Sequence, residues 1–268
     1  MRRMLTIVPR FLRDPKAFYE SIQRGEEIGA KAFALIVSSI LFLVAYGFVT
    51  GLSHSLLQAL SSAVKMPLLF VITMAFCLPA LYFFALALLG TQLSVMQVTA
   101  VVLSGIGVTA FLLLGLSPVT LFFVLTSKSY PFFQLLAVVF VAVSGCIGLY
   151  YLWRGMTWVD SDRENAMGKI GRTLLGAWAM LYAFVGAQMT WRLSPLIGDP
   201  DLPFILLQPS RDNFFVDVIH AFERATGVSQ SPSTWEGTVW TLFCMGGLFV
   251  FVVGMGVFIG SRKRRDDG

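Results

Sequence analysis

The chain has 268 residues, of which 56% are hydrophobic and 13% are charged. Soluble domains carry roughly 25% charged residues, so this composition excludes a soluble globular protein and predicts one membrane domain with short polar tails. The formal net charge of +5 does not point to nucleic acid, because the basic residues cluster at the ends of apolar segments, where anionic lipid headgroups attract them.

The first segment, residues 1–31, is predicted to form a basic amphipathic arm on the cytoplasmic surface. Its seven Lys and Arg residues are interleaved with apolar ones. Asp14 followed by Pro15 is a favourable N-cap with proline at the first helical position, so a helix is expected from Pro15 to about Arg24. The alternative interpretation is a solvated basic leader.

Six apolar segments are then predicted to cross the membrane. From Met66 to Ser127 there is no charged residue and no histidine in 62 positions. A helix crosses the hydrocarbon core with about 20 residues, so this stretch must fold back, and the turn is expected at residues 90–94. The predicted spans are about 32–51, 67–90, 98–126, 130–153, 173–191 and 238–260. They make up a membrane domain at 32–261, and a basic cytoplasmic tail follows at 262–268.

Smaller features of these spans carry further predictions. Leucines and a valine between His54 and Lys65 recur at helical spacing, which predicts a short interfacial helix before span two. Pro79 and Pro118 are predicted to kink spans two and three, and Pro118 could divide its span. Small residues at helix-packing positions are Gly47, Gly51, Gly176, Gly256 and Gly260. Packing within one molecule is favoured over oligomerisation for these glycines, and a homo-oligomer is allowed.

The long polar connection, residues 192–236, is predicted to lie outside the membrane and to contain an interfacial helix at about 212–225. It includes an apolar run, Leu202–Leu207, that is unusual for a wet loop. Such a run either packs back on the bundle, dips into the interface or docks a partner protein. The candidate residues for contact with a partner or lipid are Gln188, Trp191, Arg192, Phe204, Phe214 and Phe215.

The distribution of positive charge predicts the topology. With both termini inside, fifteen of the twenty Lys and Arg residues lie on the cytoplasmic side, as the positive-inside rule requires. The expected location is the inner (plasma) membrane of a bacterium.

No motif predicts an enzyme, a cofactor or a metal. A P-loop, a G-x-S-x-G elbow and an H-E-x-x-H helix are all absent. A metal site needs several converging His, Cys, Asp or Glu ligands, whereas the three cysteines are scattered; Asp199 and Asp201, beside Pro200, are best explained as turn residues. An enzyme acting on lipids through His220 or these outer carboxylates is the weakest hypothesis.

Two functional hypotheses remain ahead of it. Lys65, Lys128 and Arg192 are assigned to span ends, so no predicted span has an ionisable residue in its interior, which argues against an ion-coupled pump. The leading hypothesis is therefore a non-enzymatic scaffold or assembly subunit of a membrane complex, with a membrane-protein partner. The alternative is a channel or permease for a neutral or lipidic substrate, with a polar lining of Ser104, Thr109, Ser117, Thr120 and Gln188.

The sequence Phe11-Leu12-Arg13-Asp14-Pro15-Lys16-Ala17-Phe18-Tyr19, followed by closely spaced apolar helices, resembles the start of bacterial Yip1-like multi-spanning proteins. In that family a proline-led amphipathic helix with aromatic residues precedes the bundle. The resemblance covers roughly Phe11 to Trp153. It implies a non-enzymatic protein concerned with membrane organisation or partner recruitment. The family typically has five spans, so the sixth span and the loop 192–236 depart from its pattern.

Overall fold

A computed structural model describes residues 6–83, 93–126, 129–159, 169–198, 203–207, 218 and 220–221. Over these residues the chain is helical and contains no strand. The helices are α1 (Ile7–Arg13), α2 (Pro15–Gln23), α3 (Ile28–Gly51), α4 (Leu56–Phe83), α5 (Val95–Thr126), α6 (Tyr130–Val159) and α7 (Lys169–Arg192). All seven of these helices belong to one compact unit, Met1–Ser210.

Four of these helices, α3 to α6, are long and apolar enough to cross a membrane. The prediction of an all-α membrane protein is confirmed at this level. Helix α7 occupies the position of predicted span five and has 24 residues, but it is not among the four. Predicted span six and the basic tail at 262–268 lie outside the described residues. Of the interfacial helix predicted at about 212–225, residues 218, 220 and 221 are described, and these three are helical.

Helix α4 differs from its prediction, because it begins at Leu56 and contains both Pro67 and Pro79. The expected short interfacial helix is therefore the first part of α4 and not a separate element. Helix α5 likewise runs unbroken through Pro118, so that proline does not divide the span. A proline removes one backbone hydrogen bond, and neighbouring helices in a membrane bundle compensate for that loss.

The N-terminal arm folds against the bundle. Helix α2 confirms the predicted helix, and Asp14 Oδ1 accepts a hydrogen bond from Ala17 N at 3.1 Å as the N-cap. Gly25, just beyond the end of α2, has a φ of +79°, the left-handed conformation that terminates many helices. The expectation of an arm lying on the surface is wrong for its apolar face, since the apolar side chains of α1 and α2 are packed against α3, α5 and α6.

Two pairs of adjacent helices approach closely at glycines. On α3, a Cβ on Gly51 would lie 2.5 Å from Ala59 Cα of α4, and a Cβ on Gly47 would overlap the Ser62 carbonyl. Between α5 and α6, a Cβ on Gly105 would lie 2.8 Å from the Gly148 carbonyl oxygen. Small residues let membrane helices pack backbone to backbone, so these contacts fix the order of the bundle. On α7, a Cβ on Gly176 would lie 3.6 Å from the Trp153 ring, an ordinary contact; Gly256 and Gly260 are outside the described ranges.

Candidate functional site

The N-terminal arm and the loop after α7 pack at opposite ends of the bundle. The arm contacts the end where α5 begins and α6 ends. At the opposite end, where α4 begins, lies the loop that follows α7, residues 193–198 and 203–207, here called the α7 loop. The hydrogen bonds that hold each of them run to a different set of helices.

Tyr19 anchors the arm in the bundle. Its side chain is 1% exposed, and its hydroxyl donates a hydrogen bond to the Tyr151 carbonyl oxygen of α6 at 2.7 Å. The same hydroxyl lies 3.3 Å from Ser104 Oγ of α5. Burial raises the pKa of the Tyr19 hydroxyl well above its ordinary value, so the group remains a donor. Gly155 provides the space, since a Cβ there would lie 2.5 Å from Tyr19 Cε1.

Tyr19 belongs to an aromatic cluster that joins both arm helices to α6. The Phe11 ring centroid lies 4.8 Å from that of Phe18, 5.3 Å from that of Tyr19 and 5.4 Å from that of Tyr151. These tilted and edge-on contacts are the favoured arrangements of aromatic rings. The aromatic residues that suggested an amphipathic arm therefore hold it against protein.

Gln97 makes a second connection between the arm and the bundle. Its Oε1 accepts from Ser94 N at 2.9 Å, while Gln97 N donates to Ser94 Oγ at 3.2 Å. This is a capping box at the start of α5. The Gln97 Nε2 group donates to the carbonyl oxygens of Ile22 and Gln23, both at 3.0 Å. Sequence reasoning missed this residue, although Ser-x-x-Gln before an apolar run was the signal.

The variant Gln97→Ala is expected to lower the free energy of unfolding by about 1–2 kcal/mol, because it removes the Gln97 side-chain bond of the capping box and two hydrogen bonds to the end of α2. The variant Gln97→Glu keeps the Oε1 acceptor and loses the amide donor. It therefore distinguishes the contribution of the capping box from that of the hydrogen bonds to the arm. Thermal unfolding in detergent measures both. Equal midpoints for wild type and Gln97→Ala would contradict the assignment.

The outward face of the arm is basic. Arg10, Arg13 and Lys16 are exposed, whereas the exposed Arg24 is paired with Glu26 at 3.2 Å. Lys16 Nζ lies 5.2 Å from the centroid of the Trp158 ring, near the end of α6. Basic residues beside an interfacial tryptophan suit a surface that meets anionic headgroups.

The α7 loop is held by a buried polar face on the first turns of α4. Gln58, Ser62 and Lys65 are 1%, 0% and 5% exposed and lie one turn apart on the helix. The Pro195 carbonyl oxygen accepts from Gln58 Nε2 at 2.8 Å and from Lys65 Nζ at 3.0 Å. Ser62 Oγ donates to the Leu196 carbonyl oxygen, and Lys65 Nζ also donates to that of Leu206.

Lys65 does not lie where the sequence placed it. It was assigned to a span end, with its amine extending toward the interface, but it is inside α4 and its amine is turned toward protein. Its hydrogen-bond partners within the described residues are the backbone carbonyls of Pro195, three residues beyond the end of α7, and of Leu206, further along the loop. The sequence carries a signal for this, since Gln58, Ser62 and Lys65 recur at helical spacing opposite Leu56, Leu60 and Val64.

The predicted contact residues near the end of α7 do not form a single buried site. Gln188, Trp191 and Phe204 are half-buried, and Arg192 is exposed with its guanidinium 5.3 Å from the centroid of the Trp191 ring. Phe214 and Phe215 are outside the described residues. Sequence reasoning also missed Trp178, whose Nε1 donates to the Cys77 carbonyl oxygen of α4 at 2.8 Å.

The hydroxyls that were candidates for a channel lining are buried in helix contacts. Thr109 Oγ1 donates to the carbonyl oxygens of Gly105, at 3.1 Å, and Ser144, at 3.3 Å. Ser104, Ser117 and Thr120 also donate to carbonyl oxygens of their own helix. All four side chains are at most 8% exposed. Their donors are therefore used within the protein.

The fold and its two ends define an all-helical membrane protein with an arm docked at one end and a loop docked at the other. Among the residues described, no group of three or more His, Cys, Asp or Glu side chains could hold a metal ion. Comparison of the chain with protein-family models, with curated proteins and with solved structures finds no match.

Proposed function

We propose that this chain is a non-catalytic multi-pass membrane protein that acts as a scaffold or assembly subunit of a membrane complex. The proposal rests on the hydrogen bonds that polar side chains make inside the bundle. The hydroxyls of Ser104, Thr109, Ser117 and Thr120 donate to backbone carbonyls, and the helices meet at glycines. Both features favour a rigid platform over a path for a solute. The resemblance to Yip1-like proteins points the same way.

The proposed topology has six spans with both termini in the cytoplasm of a bacterium. It is supported by fifteen of twenty Lys and Arg residues falling on one side, and by the positions of the arm and the α7 loop at opposite ends of the bundle. Green fluorescent protein fused after Gly268 is expected to fluoresce, and alkaline phosphatase at the same position is expected to be inactive. The reverse pattern would exclude an even number of spans with the N-terminus inside.

The proposed contact surfaces are the outward basic face of the arm and the outer region 192–236. On the proposed cytoplasmic side, Arg10, Arg13 and Lys16 are exposed and could bind either an acidic protein segment or anionic headgroups. Because the apolar face of the arm is buried in the bundle, the charge pattern and not an apolar face would select the partner.

Affinity purification from a mild detergent tests the scaffold proposal. A partner is expected to copurify in a fixed ratio with the wild-type chain. The double variant Arg10→Glu/Arg13→Glu is expected to lose a cytoplasmic partner without a change in unfolding temperature, since both side chains are exposed. The control double variant Arg10→Lys/Arg13→Lys keeps both positive charges and is expected to retain the partner. A chain that purifies alone under all mild conditions contradicts the proposal.

The second candidate, a channel or permease for a neutral or lipidic substrate, is tested by flux. Vesicles reconstituted with the chain are expected to leak small solutes and to exchange fluorescent lipid no faster than empty vesicles. Flux above that background would favour transport. Its loss when Thr109 is replaced by valine would assign the path to the contact between α5 and α6, where Thr109 Oγ1 donates to the Gly105 and Ser144 carbonyl oxygens.

A further inference from the structure

The first turns of α4 are polar on the inside and apolar on the outside. Gln58, Ser62 and Lys65 are buried, whereas Leu60 is 54% exposed and Val64 is 66% exposed. A helix on a soluble protein has the reverse arrangement. An outward apolar face that begins at the start of α4 and continues along a helix suited to crossing a membrane is a face for lipid.

The distance from the start of α4 sets the depth of these turns. The interfacial region on one side of a bilayer is roughly 5–8 Å thick, half the difference between the whole bilayer and its hydrocarbon core. Lys65, nine residues after Leu56, is about 14 Å from the start of the helix. The α7 loop lies alongside the turns from Gln58 to Lys65, because the Pro195 carbonyl oxygen accepts from both of these side chains and the Leu206 carbonyl oxygen accepts from Lys65 Nζ.

A non-helical segment at that depth needs donors for its carbonyls, since acyl chains supply none. Gln58, Ser62 and Lys65 provide them to the carbonyls of Pro195, Leu196 and Leu206. These three carbonyls are held from the protein side, and the loop turns its apolar side chains outward. Ile205, Leu206 and Leu207 are 39%, 58% and 54% exposed.

We propose that the α7 loop is a re-entrant segment, in which Ile205, Leu206 and Leu207 insert among the acyl chains of the bilayer and the polar face of α4 holds the backbone. The occupant of this surface is lipid, because the loop lies against a helix whose own outer face is apolar at the same level. The proposal depends on α4 being in the membrane. It assigns residues 205–207 of the proposed contact region 192–236 to lipid and leaves the basic face of the arm as the surface for a protein partner.

Fluorescence quenching in proteoliposomes tests the proposal. The three native cysteines are replaced by alanine, and Leu206→Cys is labelled with an environment-sensitive fluorophore in vesicles of phosphatidylethanolamine and phosphatidylglycerol. Quenching by lipids with a nitroxide on the acyl chain is expected to equal that of a label at Val64→Cys. A label at Glu26→Cys, an exposed position on the arm, serves as the aqueous control and is expected to be quenched by iodide instead.

The other results overturn the proposal in distinguishable ways. Quenching of the Leu206→Cys label by iodide alone would mean that the loop is in water. Protection from both quenchers would mean that protein, either a partner or a second copy, covers the loop.

The role of Lys65 in holding the α7 loop is tested in the same cysteine-free, Leu206→Cys chain. Lys65→Arg, which retains a cationic donor, is expected to leave the quenching pattern unchanged, whereas Lys65→Met is expected to shift the label toward iodide. An unchanged pattern in folded Lys65→Met removes the anchoring role. If Lys65→Met does not fold, the measurement at Leu206→Cys with Lys65 intact still decides the location of the loop.

Discussion

Replacing Gly148 with alanine is expected to lower the free energy of unfolding by about 1–3 kcal/mol, the usual cost of overpacking. Gly148 lies on α6 where α5 passes closest. A Cβ there would overlap Thr109 Oγ1 and would lie 2.6 Å from the Gly105 carbonyl oxygen. The Thr109 side chain cannot move away without giving up its hydrogen bonds to Gly105 and Ser144, and the Gly105 carbonyl is backbone.

The same helix provides a matched control in Gly145, where an added Cβ would meet nothing within 4 Å. Gly145→Ala is expected to leave stability unchanged or to raise it by up to about 1 kcal/mol, because alanine is the better helix former. Thermal unfolding in the same detergent compares the two variants. If both glycines tolerate alanine equally, α5 and α6 do not pack as closely as the structure has them.

Much of the fold was predictable because the membrane constrains it. An uncharged stretch from Met66 to Ser127 must be apolar helices, and the N-cap at Asp14 with Pro15 located α2 within one residue of its observed end. The start of α4 was not predictable from hydropathy. A charged residue and a proline, Lys65 and Pro67, each suggest that a helix begins there. The helix instead runs through both, and Lys65 finds a hydrogen-bond partner on a segment 130 residues later in the chain.

The candidate sites were harder to predict for a related reason. A single sequence shows the residues of one helix face but not what covers that face. The aromatic residues of the arm would suit a lipid surface as well as they suit Tyr151 and Gly155. Gln58, Ser62 and Lys65 could equally have faced water. In each case the hydrogen-bond partner is a backbone carbonyl far away in the chain. Every residue has such a carbonyl, so the sequence does not show which one is used.

Replacing Tyr19 with alanine is expected to have the largest effect on the arm, a loss of about 3–5 kcal/mol, which is typical for removing a buried aromatic side chain. The ring is 1% exposed and fills the space beside Gly155. Its removal also deletes the hydrogen bond to the Tyr151 carbonyl and one ring of the aromatic cluster. The arm is therefore expected to detach while α3 to α6 remain folded.

Limited digestion with trypsin measures this detachment, because Arg10, Arg13 and Lys16 are exposed cleavage sites that need an unfolded backbone to be cut. The Tyr19→Ala arm is expected to be cut faster than wild type, with the bundle intact on a gel. Tyr19→Phe keeps the ring and loses the hydroxyl, so it should cost only about 0.5–1.5 kcal/mol and accelerate cleavage far less. If Tyr19→Ala and wild type are cut at the same rate, the arm is held by other contacts. If Tyr19→Phe is cut as fast as Tyr19→Ala, the hydrogen bond to Tyr151 and not the packed ring holds the arm, and the arm could then be released by any group that competes for that carbonyl.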